Sequence, residues 1–353
     1  MTQAPAKGSA AVAAFAGFLA LASAMGVGRF VYTPILPFMM EGAGLTPTQM
    51  GAIASANFLG YLAGAIVATL PGARAARPSV IVAMLALSAA TGAGMAYAGS
   101  LAAFSALRFV SGVASAMVFV GASAAVVQAL ARRGRLGLSS LLYAGVGGGI
   151  AASAAMVALV VAQGGGWRAQ WLVTAAASAL ACLVVALALP RDGAIAGGGG
   201  AAADGRRVWP IVLSYGLWGF GYVVTGTFLV ALVRESGAGS ETLTWGMVGL
   251  AAVPSVPLWG MFGERVGVAR ALALGLMVQA FSVALSVLAP SAALASAALF
   301  GGTFLGCTAL ALAAARQAAG GDPRRILGVM AIAMSLGQLV GPPLAGALRE
   351  RTG

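Results

Sequence analysis

What most constrains this chain is a series of apolar runs, each long enough to cross a lipid bilayer. A helix needs about 20 apolar residues to span the hydrocarbon core. Sliding along the 353 residues gives eleven such runs, at 11–38, 50–70, 79–98, 101–130, 138–162, 170–190, 209–233, 244–262, 269–289, 292–316 and 326–348. The breaks between them carry Gly, Pro and charge, as at Glu41 to Pro47, Pro71 to Pro78, Arg132 to Arg135 and Pro290–Ser291. Charged residues make up 8% of the chain and hydrophobic ones 60%. A soluble domain carries about 25% charged residues, so this chain lacks the polar surface to face water and uses lipid as its outer solvent. In lipid, backbone polar groups must be paired internally, which runs of this length achieve as helices. The fold class is therefore read as an all-α membrane protein. Lys7 ahead of the first run imitates a secretory signal, but Arg29 and Pro34 follow with no convincing cleavage site, so the run is read as a retained first helix.

Charge sets the expected orientation. A net charge of +12 would point to nucleic acid in a soluble protein, but here the basic residues sit in short loops between the runs. With the N-terminus in the cytoplasm, fourteen of the 20 Lys and Arg fall in inside loops, four in outside loops, and Arg29 and Arg108 lie within helices. That asymmetry follows the positive-inside rule. It gives eleven spans with the N-terminus cytoplasmic and the C-terminus outside. No nucleic-acid partner is expected; the partners are the lipid bilayer and a small-molecule substrate, and the chain is expected to be a monomer.

Composition also removes several chemistries. The chain has no His, which excludes His-based metal sites, Ser-His-Asp triads and His proton relays. Cys182 and Cys307 both lie in apolar runs, so no disulfide framework is expected. No Gly-x-x-x-x-Gly-Lys-Ser/Thr loop is present, so ATP-driven transport by this chain alone has no support. No cofactor or metal is expected. An embedded enzyme would need acids, His or Cys clustered at one interface, and the sequence offers none.

The two parts of the chain are related by a shift of about 192 residues. The loop from Pro71 to Pro78 maps onto Gly263 to Arg270, and Gly145 and Gly149 map onto Gly337 and Gly341. The longest polar break, Arg191 to Arg207, contains Gly197 to Gly200 and reads as a flexible linker. The expected organisation is an N-terminal six-helix bundle over 1–190, a cytoplasmic linker over 191–208 and a C-terminal bundle of five helices over 209–353. A parallel repeat of six-helix halves is a known transporter plan. By the same shift the sixth run predicts a twelfth helix at about 362–382, beyond Gly353.

Several segments resemble the major facilitator superfamily. The stretch from Gly260 through Glu264, Arg265 and Gly267 to Arg270 looks like its signature of a Gly, then an acid-Arg-x-Gly and a trailing base. In this role Glu264 is expected to accept bonds at helix ends and latch one arrangement of the two halves. The matching loop, Leu70 to Arg77, has no acid. Arg108 followed by Gly112 resembles the superfamily's pattern in its fourth helix. The Gly-rich fifth run, with Gly145, Gly147, Gly148 and Gly149, lacks the Gly-Pro pair of the antiporter signature. A narrower string, Gly28-Arg29-Phe30 to Tyr32, Pro34, Leu36 and Pro37, is similar to the YbfB/YjiJ-type branch of bacterial major facilitator proteins. Trp167–Arg168, Thr227–Phe228, Trp259–Gly260, Gly302 to Phe304, and Gly337–Gln338 to Gly341–Pro342 extend that resemblance over almost the whole chain. The resemblance implies two pseudo-symmetric helical bundles, alternating access, and a multi-pass protein of the bacterial inner membrane with its C-terminus in the periplasm. It implies no particular substrate.

Arg29 and Arg108 are the candidate transport residues. An Arg in mid-helix costs on the order of 3 kcal/mol on insertion scales, so it usually faces the bundle interior. At 1.5 Å per residue both lie about 10–12 Å below the outer ends of their runs. In the major facilitator plan the first and fourth helices line the central cavity. Two cations without an intramembrane acid suit an anionic group such as a carboxylate; the alternative is that each binds helix carbonyls or Tyr hydroxyls and only holds the N-terminal half together. All eight acids fall in or beside loops, which leaves no obvious proton carrier in the membrane. Tyr32, Asn57, Tyr61, Tyr143, Tyr222 and Gln338 are the further candidates for orienting a solute, with interhelical hydrogen bonding as the alternative for each. Gly60 and Gly64 are read as close-packing positions. The function read from these features is secondary transport of a small organic solute, anionic or amphipathic, by alternating access; the alternative is a transport-inactive or receptor-like remnant.

Overall fold

The computed structural model describes residues 9–70, 74–189, 208–237, 240–319 and 323–352. Of the expected linker, 191–208, all but Val208 lies outside these residues, as do Lys7 and Asp322. Every regular element described is helical. The helices are α1 (Ala10–Leu21), α2 (Tyr32–Ala43), α3 (Pro47–Thr69), α4 (Pro78–Met95), α5 (Leu101–Arg132), α6 (Ser139–Ala162) and α7 (Trp167–Ala188). They continue with α8 (Trp209–Ser236), α9 (Glu241–Ala252), α10 (Ser255–Val266), α11 (Val268–Leu288), α12 (Ala293–Ala319) and α13 (Pro323–Thr352). Among the described residues ten helical stretches are long and apolar enough to cross a membrane; α9 and α10, bent by 45°, pass the same length and apolarity test as a pair and bring the number to eleven where the pair is taken as one span.

Two of the expected spans are not single straight helices. The first, expected over 11–38, runs as α1, a π-helical segment over Ala22–Val27, a turn, and α2. The eighth, expected over 244–262, is α9 and α10 with the bend at Val253–Pro254. Proline accounts for the bend at Val253–Pro254 and for the turn just ahead of Pro34, though not for the π-helical segment over Ala22–Val27. It lacks an N–H and its ring clashes with the preceding turn, so the helical ladder is interrupted there.

Local chemistry sets the other ends. Thr46 and Gln49 close α3 with a reciprocal capping box and Pro47 sits in its first turn, where the missing N–H costs nothing. The hydroxyls of Ser100 and Ser240 cap α5 and α9. Gly44 (φ 65°) ends α2 and Gly237 (φ 61°) ends α8 in the left-handed region that glycine adopts without penalty.

Helices α1–α7 pack among themselves, as do α8–α13, and the two groups meet along α2 with α8, α3 with α13, and α6 with α9. Small residues make these approaches possible. A side chain on Gly51 would strike the backbone of Pro342, and one on Gly249 the backbone of Ala151. Within the N-terminal group, Gly60 and Gly64 let α3 lie on the backbone of α5 at Phe109 and Val113, the packing role expected of them.

Candidate functional site

The site is built on the break in the first span. Pro34 has no N–H to give back to the preceding turn, and Gly26 and Gly28 remove side chains from the segment ahead of it. The backbone slips into wider turns, with Gly28 N donating to Ser23 O at 2.7 Å and Phe30 N to Met25 O at 3.0 Å. The carbonyls of Gly28 and Arg29 leave the ladder, and Arg108 of α5 takes both. Its Nη1 donates to Gly28 O at 2.8 Å and its Nη2 to Arg29 O at 2.7 Å, with the Ser111 hydroxyl on Gly28 O at 3.2 Å. Asn57 donates in turn to the Arg108 carbonyl at 2.9 Å, and the Tyr32 hydroxyl donates to Met50 O at 2.8 Å. The rigid fork of a guanidinium matches two neighbouring carbonyls, which an ammonium does not.

Arg29 has different surroundings. It is 4% exposed, and its guanidinium lies over the rings of Tyr61 (4.0 Å), Phe58 (4.8 Å) and Phe30 (5.6 Å). Among the described residues, the one hydrogen bond of its guanidinium crosses between the two groups of helices: Nη2 donates to Gln338 Oε1 of α13 at 3.1 Å. Gln338 Nε2 donates to the Tyr222 hydroxyl of α8, also at 3.1 Å. Arg29 Nε is buried without a partner. Among the described residues no carboxylate pairs with Arg29 or Arg108. A buried guanidinium held by one neutral amide and by ring faces is short of acceptors for its five N–H groups.

The facing wall is aromatic. Tyr215, Trp218 and Tyr222 share one face of α8 and stack in sequence, at 5.5 Å and 5.0 Å between centroids. Phe304 of α12 stacks on Tyr222 at 5.0 Å and meets Phe30 of the N-terminal group edge to face at 5.6 Å. Between Arg29, Tyr32, Thr33, Phe58, Tyr222 and Thr227 lies a cavity of about 20 Å³, room for roughly one water.

Toward the ends marked by Gly44 and Gly237 the two groups are tied together. The Thr33 hydroxyl donates to Gly226 O at 2.5 Å, and the Ser55 hydroxyl to Leu339 O at 2.7 Å. Arg234 bridges Glu41 (2.8 Å) and Glu241 (3.4 Å) over the ring of Phe38. Thr48 N donates to Glu350 at 2.9 Å. Two of these contacts, Thr33 with Gly226 and Glu41 with Arg234, join positions 193 residues apart, and so do the positions of Arg29 and Tyr222. The internal repeat thus places α2 and α8 face to face, each meeting its own counterpart.

Of the expected site residues, Arg29, Tyr61, Tyr222 and Gln338 converge. Tyr32 borders the cavity with its ring. Arg108 also borders it, but both of its Nη groups are taken by carbonyls, and Asn57 belongs to the same support. Tyr143 packs on Phe119 at 6.2 Å and does not line the cavity. Glu264, Arg265 and Arg270 lie exposed at the turn from α10 to α11, with Gly267 at φ 94°. Among the described residues the expected latch group makes no ion pair. Sequence reading missed Phe58, Trp218 and Phe304 and the triad around Arg234. The spacing of Tyr215, Trp218 and Tyr222 at helical period was a legible signal for the aromatic face; Phe304 and Arg234 had none.

A family model described as "Uncharacterised MFS-type transporter YbfB" matches residues 21–353. No curated protein matches in sequence. Among solved structures, a bacterial homologue of the human lysosomal transporter Spinster, inward-facing and occupied, aligns with TM-score 0.70 at 13% identity, covering 97% of this chain and 81% of its own. The same protein in its inward-facing, unoccupied form gives 0.70 at 14% identity, covering 98% and 84%. A mutant of the nucleoside transporter NupG gives 0.69 at 13% identity, covering 95% and 91%. At these identities the likeness is one of fold.

Proposed function

The chain belongs to the YbfB-type family of major facilitator transporters, and on that premise we propose that it moves a small organic anion across the bacterial inner membrane by alternating access. The observation that carries the reading is Arg29. A guanidinium buried between the two halves, with a neutral amide as its one hydrogen-bond acceptor and an unpartnered Nε, is a site prepared for negative charge. Because Arg29 belongs to one half and Gln338 and Tyr222 to the other, an anion bound among them is held by both halves and feels their separation. The excess of Arg in the loops on one side supports a cytoplasmic N-terminus. In that orientation the ties around Arg234 lie at the periplasmic end and close it. The six-helix N-terminal half, the linker and the C-terminal half then move as two bodies about the repeat axis between α2 and α8, with the Glu264 turn free on the cytoplasmic side. The protein acts as a monomer.

The test is uptake into vesicles reconstituted with the full chain, across a panel of organic anions and neutral solutes. The reading expects saturable movement of an anion and its loss in Arg29→Ala. Movement of neutral solutes alone, or anion movement unchanged in Arg29→Ala, overturns it.

A further inference from the structure

We infer that the ligand of this site is an aromatic carboxylate, whose acid group takes the place of the Gln338 amide on Arg29 and whose ring takes the place of Phe30 on Phe304. The inference rests on the anion reading of Arg29 and adds the ring.

Among the described residues, two contacts beside the cavity join the halves through side chains alone. One is polar, Arg29 to Gln338. The other is a ring on a ring, Phe30 to Phe304. They are neighbours, because Arg29 and Phe30 are consecutive and the guanidinium lies 5.6 Å from the Phe30 ring. Parting of the halves breaks both at once. It leaves Arg29 without its acceptor and Phe304 without its edge-on partner, with the Tyr222 stack behind it. A molecule that fills both vacancies must bring acceptor oxygens and a ring joined by a short spacer.

Two further features favour that chemistry. Among the described residues, the unpartnered buried donors around the site are Arg29 Nε, Arg108 Nε and Trp218 Nε1, the last of these one ring along the stack from Tyr222; the unpartnered Asn57 Oδ1 belongs to the support behind Arg108. These donors call for acceptor atoms. The Gln338 side-chain oxygen accepts from Arg29 as a carboxylate oxygen would, while its Nε2 donates to the Tyr222 hydroxyl. A carboxylate in its place accepts a charge-assisted bond from the guanidinium and, with the Tyr222 hydroxyl turned to donate, a second bond from it. Its ring then meets the ring edge or face of Phe304 with the geometry aromatic pairs prefer. An aliphatic acid of the same size satisfies Arg29 and forgoes the ring contact.

The experiment is binding of four probes to the full chain in lipid nanodiscs by calorimetry: 3-phenylpropionate, 3-cyclohexylpropionate, 3-phenylpropan-1-ol and acetate. The expected result is 3-phenylpropionate tightest, about tenfold tighter than its cyclohexyl counterpart. In Phe304→Leu that ratio falls to within about twofold, while the variant's thermal unfolding in detergent shows that it remains folded. The last measurement keeps a misfolded variant from counting as support. Equal affinity for the two six-carbon rings overturns the aromatic inference and leaves the anion reading standing. Binding of the alcohol as tight as the acid, in wild type and Arg29→Ala alike, overturns the anion reading itself. No binding of either propionate overturns both.

Discussion

The first and seventh spans occupy matching places in the repeat, yet one is broken and the other is continuous. Gly28–Arg29 stands where the second half has Gly221–Tyr222, 193 residues on, and both spans end at a left-handed glycine. After Gly28 the first span has Pro34 and Pro37; the seventh has Thr227 and Val230 at the same places and keeps its ladder. The fourth span supplies Arg108 to hold the freed carbonyls, whereas the matching position in the second half is Gly301. The difference separates two roles within a pair of buried arginines that look alike in the sequence. Arg108 is spent on backbone and supports the break. Arg29, on the backbone it supports, has only a side chain of the other half to hold. On the proposed function, the charge whose partner crosses between the halves is the one offered to a ligand, and the charge locked into its own half is not.

That comparison can be broken most sharply at Arg108. Arg108→Ala leaves two buried carbonyls short of donors, and bonds to a charged group are worth about 1.5–3 kcal/mol each, so a loss of about 4 kcal/mol is expected. Thermal unfolding in detergent reads it, and Arg108→Lys recovers only part because an ammonium lacks the fork. An unfolding temperature equal to wild type would deny the support role. Arg29→Ala is expected to do the reverse. Stability holds or rises, because a poorly paired buried charge is removed, while uptake falls about 100-fold, or about 3 kcal/mol. Equal damage to stability in both variants would erase the distinction. Next, Tyr222→Phe removes the hydroxyl that Gln338 reaches and is expected to raise KM about fivefold, about 1 kcal/mol, at unchanged kcat. A change in kcat alone would move Tyr222 out of binding. The smallest effect is at the rim. Arg234 is 28% and Glu41 63% exposed in their side chains, so Arg234→Ala is expected to cost about 0.5 kcal/mol at low salt. That cost should vanish at high ionic strength in the same unfolding assay.

Hydropathy alone determined the number of crossings, because burying an apolar run in lipid depends on the run and not on its neighbours. Ten of the eleven runs coincide with described helical stretches long and apolar enough to cross, and the eighth with the bent pair α9 and α10; the repeat is visible in the spacing of the glycines along the chain. The cationic residues of interest were also legible, since an Arg within an apolar run needs a reason to be there. What each Arg holds was not legible. Arg108 is 80 and 79 residues from the carbonyls of Gly28 and Arg29, and Arg29 and Gln338 are separated by 309. Depth along a helix, which sequence gives, put both guanidiniums at one level; direction around the helix and the break at Pro34 turned one to the backbone and the other to the interface. Tyr143 shows the same limit, since a tyrosine in a span reads as a cavity residue until packing puts it against Phe119. Sequence therefore determined that this chain crosses the membrane and carries buried positive charge. Only the tertiary structure decided what each charge holds, backbone of its own half for Arg108 and a side chain of the other half for Arg29, because that depends on long-range partners.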